Sequence, residues 1–397
     1  MYRLGKFRLA VFNTQPPHLY FGGVERRIME VTKRLQSEAD ISVYCGTKAN
    51  FKEPTQINGV KLVPCHSTDR LYPLDNWSFN RSLPKTKGIF DADLYEANNV
   101  SGYSFPNQLQ KRQLKKPFIH IIHGPLKDEY KQALKNENQS ARTRLANVFM
   151  RYLARLEEQT AKKSTLIVAV SKYSMGKILE HYDVDKDKIR VVPNGVDPEK
   201  FKPVPDRASM KRQFGLGGEP CVLFVGHLIP RKGLPFLVEA AKKIVKEHAQ
   251  TKFLIVGEGP LKNQLQNKLA SGNLLGNFRF LGKIKEDQLS ALYNCADVFA
   301  LPSIQEGQGI VLLEAESSGV PVVAFDVGGV VEAVRNGETG YLAKLRDTEE
   351  LADVIIRLLS DGALREKMGS EGRRFVMENF TWDLCTQRML KVYHEAL

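Results

Sequence analysis

At 397 residues, 42% hydrophobic and 26% charged, the chain has the composition of a globular protein with two domains of ordinary size. No apolar run reaches the ~18 residues that would cross a bilayer, and the short polar start leading into a strand at Arg8 predicts no signal peptide. The net charge of +13 lies in the first half, where residues 1–195 hold 32 Lys and Arg against 19 Asp and Glu while residues 196–397 hold 26 of each. An anionic partner is therefore expected of the first half alone.

Residues 8–13 read as a short apolar strand, followed by Gly22-Gly23 and a helix over 24–35 with Val24, Ile28, Val31 and Leu35 on one face. Taken alone, such a Gly-Gly is more often an ordinary strand-to-helix turn than a ligand site. Strands follow at 41–45 and 60–64. Residues 68–88 show no period and mix Tyr72, Trp77 and Phe79 with Arg70, Arg81, Lys85 and Lys87. This predicts a loop that either tucks its aromatics against the domain or docks a glycan or a membrane surface. A strand over 91–96, a helix over 108–114 and a buried strand over 117–124 come next. The last of these ends in His123-Gly124, at the carboxyl end where open α/β sheets gather their ligands. A long helix over 142–163 carries Leu145, Phe149, Leu153 and Leu156 on one side, and a strand over 166–171 ends at Ser171, a helix N-cap. Residues 189–197 close the first domain, and the polar run to Pro205 reads as a linker.

The second half alternates more clearly. Strands are predicted at 221–226, 252–257, 278–282, 297–301, 320–325 and 340–342, with helices at 235–247, 261–269, 286–295, 309–318 and 330–335, then 348–360, 362–378 and 382–397. Such alternation implies a parallel sheet with right-handed crossovers. Five scattered cysteines without a C-x-x-C predict reduced, buried thiols and a cytosolic protein. The D-x-D runs Asp183-Val184-Asp185 and Asp185-Lys186-Asp187 stand in a polar stretch far from the glycine-rich motifs, and no D-x-D falls where it would hold a metal beside a diphosphate, so no metal site is predicted.

The chemistry concentrates in residues 303–315, Ser-Ile-Gln-Glu-Gly-Gln-Gly-Ile-Val-Leu-Leu-Glu-Ala. Glu306 falls in a strand-to-helix loop and Glu314 within the helix, with Gly307 and Gly309 between them. A helix N-terminus is an anion site, above all for phosphate. Two acceptors flanking such a cradle suit a molecule with hydroxyls on both sides of a diphosphate, which describes a nucleotide sugar.

This Glu-x7-Glu spacing resembles the signature of retaining glycosyltransferases of the GT-B fold, family 4 (glycosyl transferases group 1), close to E-G-F-G-L-x-x-L-E-A followed by G-x-P-V-V-A. The tail here is Gly319-Val320-Pro321-Val322-Val323-Ala324 with Gly328-Gly329 beyond, and Gln308 stands at the usual Phe. Gly22-Gly23-Val24-Glu25 resembles the family's N-terminal glycine loop. Residues 225–233 resemble its G-R-x-x-x-x-K-G, with Lys232 aligned and His227 where Arg is usual. Residues 256–261, Val-Gly-Glu-Gly-Pro-Leu, match its nucleotide loop and are not a dinucleotide fingerprint.

The resemblance implies an α/β, GT-B architecture: two Rossmann-like doubly wound domains facing across a cleft. Residues 1–195 would bind the acceptor, 196–380 the nucleotide sugar, and a helix over 381–397 would cross back to the first domain. It implies a metal-independent, retaining hexosyltransferase with the donor as co-substrate and no cofactor. Glu306, His123 and Lys232 are its catalytic candidates. Gly22, Gly23, Arg231, His227, Gly257, Gly259, Leu281, Gly309, Ile310, Val311 and Glu314 are its binding candidates, with Arg231 or His227 replacing the family's phosphate-binding Arg. UDP is favoured over GDP, and the acceptor is expected to be a glycan or lipid-linked and anionic. Placement is expected to be cytoplasmic, peripheral on the inner membrane face, with an anionic membrane surface as partner. No nucleic-acid motif is present. A nucleotide-sugar epimerase of the same fold and a non-catalytic nucleotide-sugar binding protein are the alternatives.

Overall fold

The computed structural model describes residues 6–20, 22–68, 74–134 and 141–397. The chain divides into two compact units, Met1–Asn194 with Trp382–Leu397, and Gly195–Thr381.

The first unit runs β1 (Phe7–Asn13), α1 (Gly23–Arg34), β2 (Ala39–Gly46), β3 (Thr55–Ile57), β4 (Val60–Cys65), α2 (Leu74–Ser82), β5 (Leu94–Asn98), α3 (Phe105–Lys111) and β6 (Phe118–Ile122). It continues with α4 (Leu126–Leu134), α5 (Ala141–Lys163), β7 (Leu166–Ala169), α6 (Lys172–His181) and β8 (Ile189–Val191). The eight strands lie in the order β3-β4-β2-β1-β5-β6-β7-β8. Only β3, on β4, is antiparallel. β5, β6 and β7 are buried along their whole length, as strands covered on both faces by crossover helices must be. Chain direction across the sheet reverses between β1 and β5, so the loops after these strands diverge and leave a crevice at their carboxyl ends.

The second unit holds α7 (Arg207–Gln213), β9 (Cys221–Val225), α8 (Leu234–Glu247), β10 (Lys252–Val256), α9 (Lys262–Ser271), β11 (Phe278–Gly282), α10 (Glu286–Cys295) and β12 (Val298–Leu301). Then come α11 (Ile310–Ser317), β13 (Val322–Phe325), α12 (Val330–Ala333), β14 (Gly340–Ala343), α13 (Thr348–Ser360) and α14 (Gly362–Asn379). Its parallel sheet is ordered β11-β10-β9-β12-β13-β14, and the switch point falls between β9 and β12. A register shift between Ile255 and Val256 pairs Val256 with Gly282, leaving Leu281 as the extra residue at that strand end. The last helix, α15 (Trp382–Ala396), belongs to the first unit and buries Trp382, Met389 and Tyr393 there.

Two regions differ from the sequence reading. The stretch expected to be a loop over 68–88 contains α2, whose inward residues are largely polar: Asp75, Asn76, Ser78 and Asn80 are buried beside Phe79. Thr14 Oγ1 donates to Asn76 Oδ1 at 2.7 Å, and Asn80 Nδ2 donates to the Asn76 carbonyl at 2.8 Å. A helix whose inner face is hydrogen-bonded rather than apolar shows no hydrophobic period. Arg70 and Tyr72 lie outside the described residues. Beyond the linker that ends at Pro205 stands α7, which the sequence reading did not predict; it has no buried residue and is started by Asp206, whose side chain accepts from the Ser209 N–H at 2.8 Å. All five cysteines are buried free thiols. Among the described residues no helix is long and apolar enough to cross a membrane.

Candidate active site

In the second unit, the loops leaving β9 and β12 carry the acid and the cations. The Lys232 Nζ lies 2.5 Å from Glu306 Oε2, and Ser303 Oγ donates to the same oxygen at 3.4 Å. Arg231 Nη1 donates to the Gln305 carbonyl at 3.3 Å, and the Ile304 N–H donates to the Arg231 carbonyl at 2.9 Å. Glu306 is only 9% exposed. Burial by itself would raise its pKa, but the charges of Lys232 and Arg231 with the bonds from Lys232 and Ser303 reverse that and hold it below the usual carboxylate range. The acid is thus ionised at neutral pH because its cations are already in place.

Beside this pair stands the amino end of α11, with Gly309 as its N-cap. The first-turn N–H groups of Ile310 and Val311 have no acceptor within the helix. One turn on, Glu314 is fully buried and accepts from the Tyr293 hydroxyl at 2.7 Å. The loops after β9 and β10 are sewn together: Leu228 N–H donates to the Glu258 carbonyl at 2.9 Å and Leu261 N–H to the Leu228 carbonyl at 3.1 Å, while Gly257 N–H donates to the carbonyl of Gly282 at the end of β11 at 2.8 Å. Gly257 has φ 128°, and a Cβ there would overlap the Gly226 carbonyl, so only glycine allows the two loops to close on each other. The His227 side chain is exposed, in contrast to the half-buried Arg231.

In the first unit, Gly22 caps α1 and Gly23 begins it, next to Glu25, whose Oε1 accepts from Asn13 Nδ2 at 3.1 Å. His123 follows β6 and is half-buried. Its Nε2 lies 3.0 Å from Asn98 Oδ1, and its backbone N–H donates to Asn99 Oδ1 at 3.0 Å. Burial, then the positive charge of Arg27 and the neighbouring His120, push its pKa down to about 3; even with an edge of the ring open to solvent it is neutral at pH 7. His120, earlier on the same strand, is fully buried and tied to the Asn99 carbonyl at 2.6 Å. The structure therefore gathers Arg231, Lys232 and Glu306 on one pair of loops, places Gly257 and Gly259 on the loop after β10 and Leu281 at the end of β11, and puts Gly22, Gly23 and His123 in the other unit. Among the described residues no group of three or more His, Cys, Asp or Glu is arranged to hold a metal ion.

Comparison with known proteins bears directly on this arrangement. The model of the glycosyl transferases group 1 family matches residues 206–375, and that of glycosyltransferase family 4 matches residues 21–200. The D-inositol 3-phosphate glycosyltransferase of Salinispora arenicola is 31% identical over 95% of this chain and 88% of its own. The chain belongs to the group 1, family 4 glycosyltransferases. Among solved structures, sucrose-phosphate synthase from Thermosynechococcus elongatus superposes with a TM-score of 0.83 at 22% identity, covering 98% of this chain and 99% of that one. HepE from Anabaena, solved with UDP and glucose, superposes with a TM-score of 0.76 at 20% identity, covering 98% and 100%. The fold is GT-B, built of two Rossmann-like domains.

Several residues of this candidate site carry no motif signal. Tyr293 reaches Glu314 from α10, a different helix 21 positions earlier. Ser303 was visible only as the residue three before Glu306. Asn98 and Arg27 lie on β5 and α1 and meet His123 only through the fold. The polar Glu96 and Asn98, two apart in the buried strand β5, are the one cue that could have marked Asn98.

Proposed function

We propose that the chain is a retaining hexosyltransferase that takes its sugar from a nucleotide diphosphate sugar, UDP before GDP, and passes it to a glycan or lipid-linked acceptor. The Lys232–Glu306 pair at the β9–β12 switch point carries this reading. A diphosphate entering there meets two cations and the amino end of α11, the arrangement that stabilises charge growing on a leaving phosphate. The acceptor oxygen bonds to the anomeric carbon while the bond from that carbon to the diphosphate breaks. The electron pair leaves with the nucleoside diphosphate, which also takes the acceptor's proton on the same face. Lys232 turns toward the diphosphate, and Glu306 accepts from a sugar hydroxyl. Arg231, held against the Glu306 loop, takes the part of the family's arginine in preference to the exposed His227. Glu314, steadied by Tyr293, holds the ribose hydroxyls, and His123 meets the transferred sugar. Because cations and N–H groups neutralise the diphosphate, the reaction is metal-independent. UDP is preferred because HepE holds it in a protein of the same fold.

A panel of UDP and GDP sugars at saturating concentration tests this. Binding to the native state at ~100 times Kd contributes about 2.7 kcal/mol, which for a unit of this size raises Tm by about 5–10 °C. The expected result is such a rise with one nucleotide series, together with release of free nucleotide on adding acceptor. A rise without release would leave a binding protein, and no rise with any donor removes the reading.

For the acceptor and its setting, the support is the first unit's surface. Leu74, Trp77, Tyr103, Phe149, Tyr152 and Leu153 line a shallow groove of about 220 Å³, and Trp77 and Tyr152 are half exposed. Arg81 lies over the Trp77 ring at 5.4 Å, with exposed Arg151 and Arg155 on α5. Aromatics ringed by arginines suit the interface of an anionic membrane, on its cytoplasmic side. The relative from Salinispora is named for an inositol phosphate, itself an anion. Co-sedimentation with anionic vesicles is expected, with a loss of at least ~10-fold on replacing Trp77 and Tyr152 by Ser. Equal binding to neutral vesicles, or none to either, removes the membrane.

A further inference from the structure

Behind His123 lies a buried polar chain that the reaction described above does not use. Asn98, 1% exposed, donates from Nδ2 to Glu96 Oε1 at 3.1 Å and to the Phe12 carbonyl at 3.5 Å. The Tyr393 hydroxyl, delivered by α15, donates to the other Glu96 oxygen, Oε2. Glu96 and Tyr393 are 5% and 1% exposed. An amide has one donating end and one accepting end, and two acceptors on the same end identify it as the NH₂. The oxygen of Asn98 therefore faces His123 Nε2 at 3.0 Å, and that nitrogen must carry the proton. In a neutral imidazole the other nitrogen then has only a lone pair.

We propose that Tyr393, Glu96 and Asn98 are positioning residues that fix His123 as its Nε2–H tautomer, so that Nδ1 receives a hydrogen bond from a hydroxyl of the transferred sugar. This rests on the reading of His123 as the residue that meets that sugar. Arg27 works in the same direction. Its Nη1 donates to the Val192 carbonyl at 3.0 Å and to Asn194 Oδ1 at 2.9 Å, which fixes a buried guanidinium near the ring and disfavours the imidazolium. An uncharged acceptor suits a sugar that gains positive charge as the diphosphate departs, because an imidazolium there would repel it. The carboxylate sets the amide, the amide sets the ring, and α15 sets the carboxylate.

The test reads the tautomer and the kinetics separately. Long-range ¹H–¹⁵N spectra of the full chain, with His123 assigned by the signal lost in His123→Gln, are expected to show protonated Nε2 and bare Nδ1. In Asn98→Ala the ring is expected to populate both tautomers, with kcat lowered about 10- to 100-fold and donor Kd changed less than about 3-fold. Tyr393→Phe, which removes one buried hydroxyl and keeps the ring packing, is the milder variant and is expected to move both readouts the same way by a smaller amount. Protonated Nδ1 in the wild type overturns the proposal, as does an unchanged tautomer in both variants. A shifted tautomer with unchanged kcat overturns the link to the sugar while leaving the transferase reading intact. Absence of transfer by the wild type would sink the transferase reading and with it the hydroxyl contact, whatever tautomer the spectra show.

Discussion

Lys232→Ala is expected to lower kcat for sugar transfer by about 10²–10³-fold, the usual consequence of deleting one fixed group that stabilises developing negative charge. Two effects combine. In the proposed reaction the departing diphosphate loses a cation that stands 2.5 Å from Glu306. Glu306, 9% exposed, also keeps its burial while losing its strongest partner, so its pKa climbs from its present depressed position. The sign follows from the native value lying below the unfolded one. In the wild type the ionised acid contributes stability above its unfolded pKa, and this is lost only as pH falls through the lower native value. Without Lys232 the native pKa moves upward, so the acid limb of the kcat profile should shift to higher pH. Lys232→Arg should retain the acid limb near its wild-type place while recovering only part of kcat, because a planar fork does not replace a compact ammonium at that distance. Steady-state kinetics from about pH 3.5 to 8, a span that brackets the ordinary glutamate pKa of about 4.3, decide. An unchanged rate in Lys232→Ala, or a profile that does not move, would remove this lysine from the reaction.

How much of this was readable beforehand depends on whether a residue acts through its neighbours in sequence or through the fold. The sheet of the second unit was legible because each of its strands is a short apolar run bounded by turn residues, as in Cys221–Val225 before Gly226. The loops after β9 and β12 were legible for the same reason: Gly233 and Gly309 punctuate them, and Lys232 and Glu306 stand at fixed offsets from those glycines. α2 was not, because its inner face is made of Asp75, Asn76, Ser78 and Asn80, satisfied by hydrogen bonds that no periodicity records. β3 escaped because Thr55 and Gln56 are exposed and an edge strand with no apolar face leaves no alternation. Phe149, read as part of one apolar side of its helix, is 37% exposed, since a single apolar stripe does not say where the neighbouring element stops covering it. Tyr293, Asn98 and Arg27 form the deepest layer of the two sites, and each reaches its partner across elements far apart in the chain.

Gly233→Val is expected to destabilise the second unit by about 3–5 kcal/mol and to lower Tm by about 10–15 °C. Gly233 has φ 68° and closes the turn Pro230–Lys232 just before α8. A Cβ at this position would overlap the Pro302 carbonyl, which belongs to the first residue after β12. The obstacle is backbone on both sides, so no side chain can swing clear. Left-handed backbone costs a β-branched residue about 1–3 kcal/mol, and forcing apart two packed loops costs a similar amount. The hydrogen bond from Ile304 N–H to the Arg231 carbonyl, 2.9 Å, ties these same loops and would be stretched, at about 1 kcal/mol. Separating them also pulls Lys232 from Glu306, so activity measured below the lowered Tm should fall together with stability. Gly218→Val is the control, since Gly218 is exposed, has no positive φ, and a Cβ added there would meet nothing within 4 Å; a change within about 0.5 kcal/mol is expected there. Urea denaturation of both variants, with a transfer assay run at about 15 °C, near the usual maximum of stability, provides the comparison. Wild-type stability in Gly233→Val would mean that the loops after β9 and β12 are not held at the separation that puts the lysine on the acid.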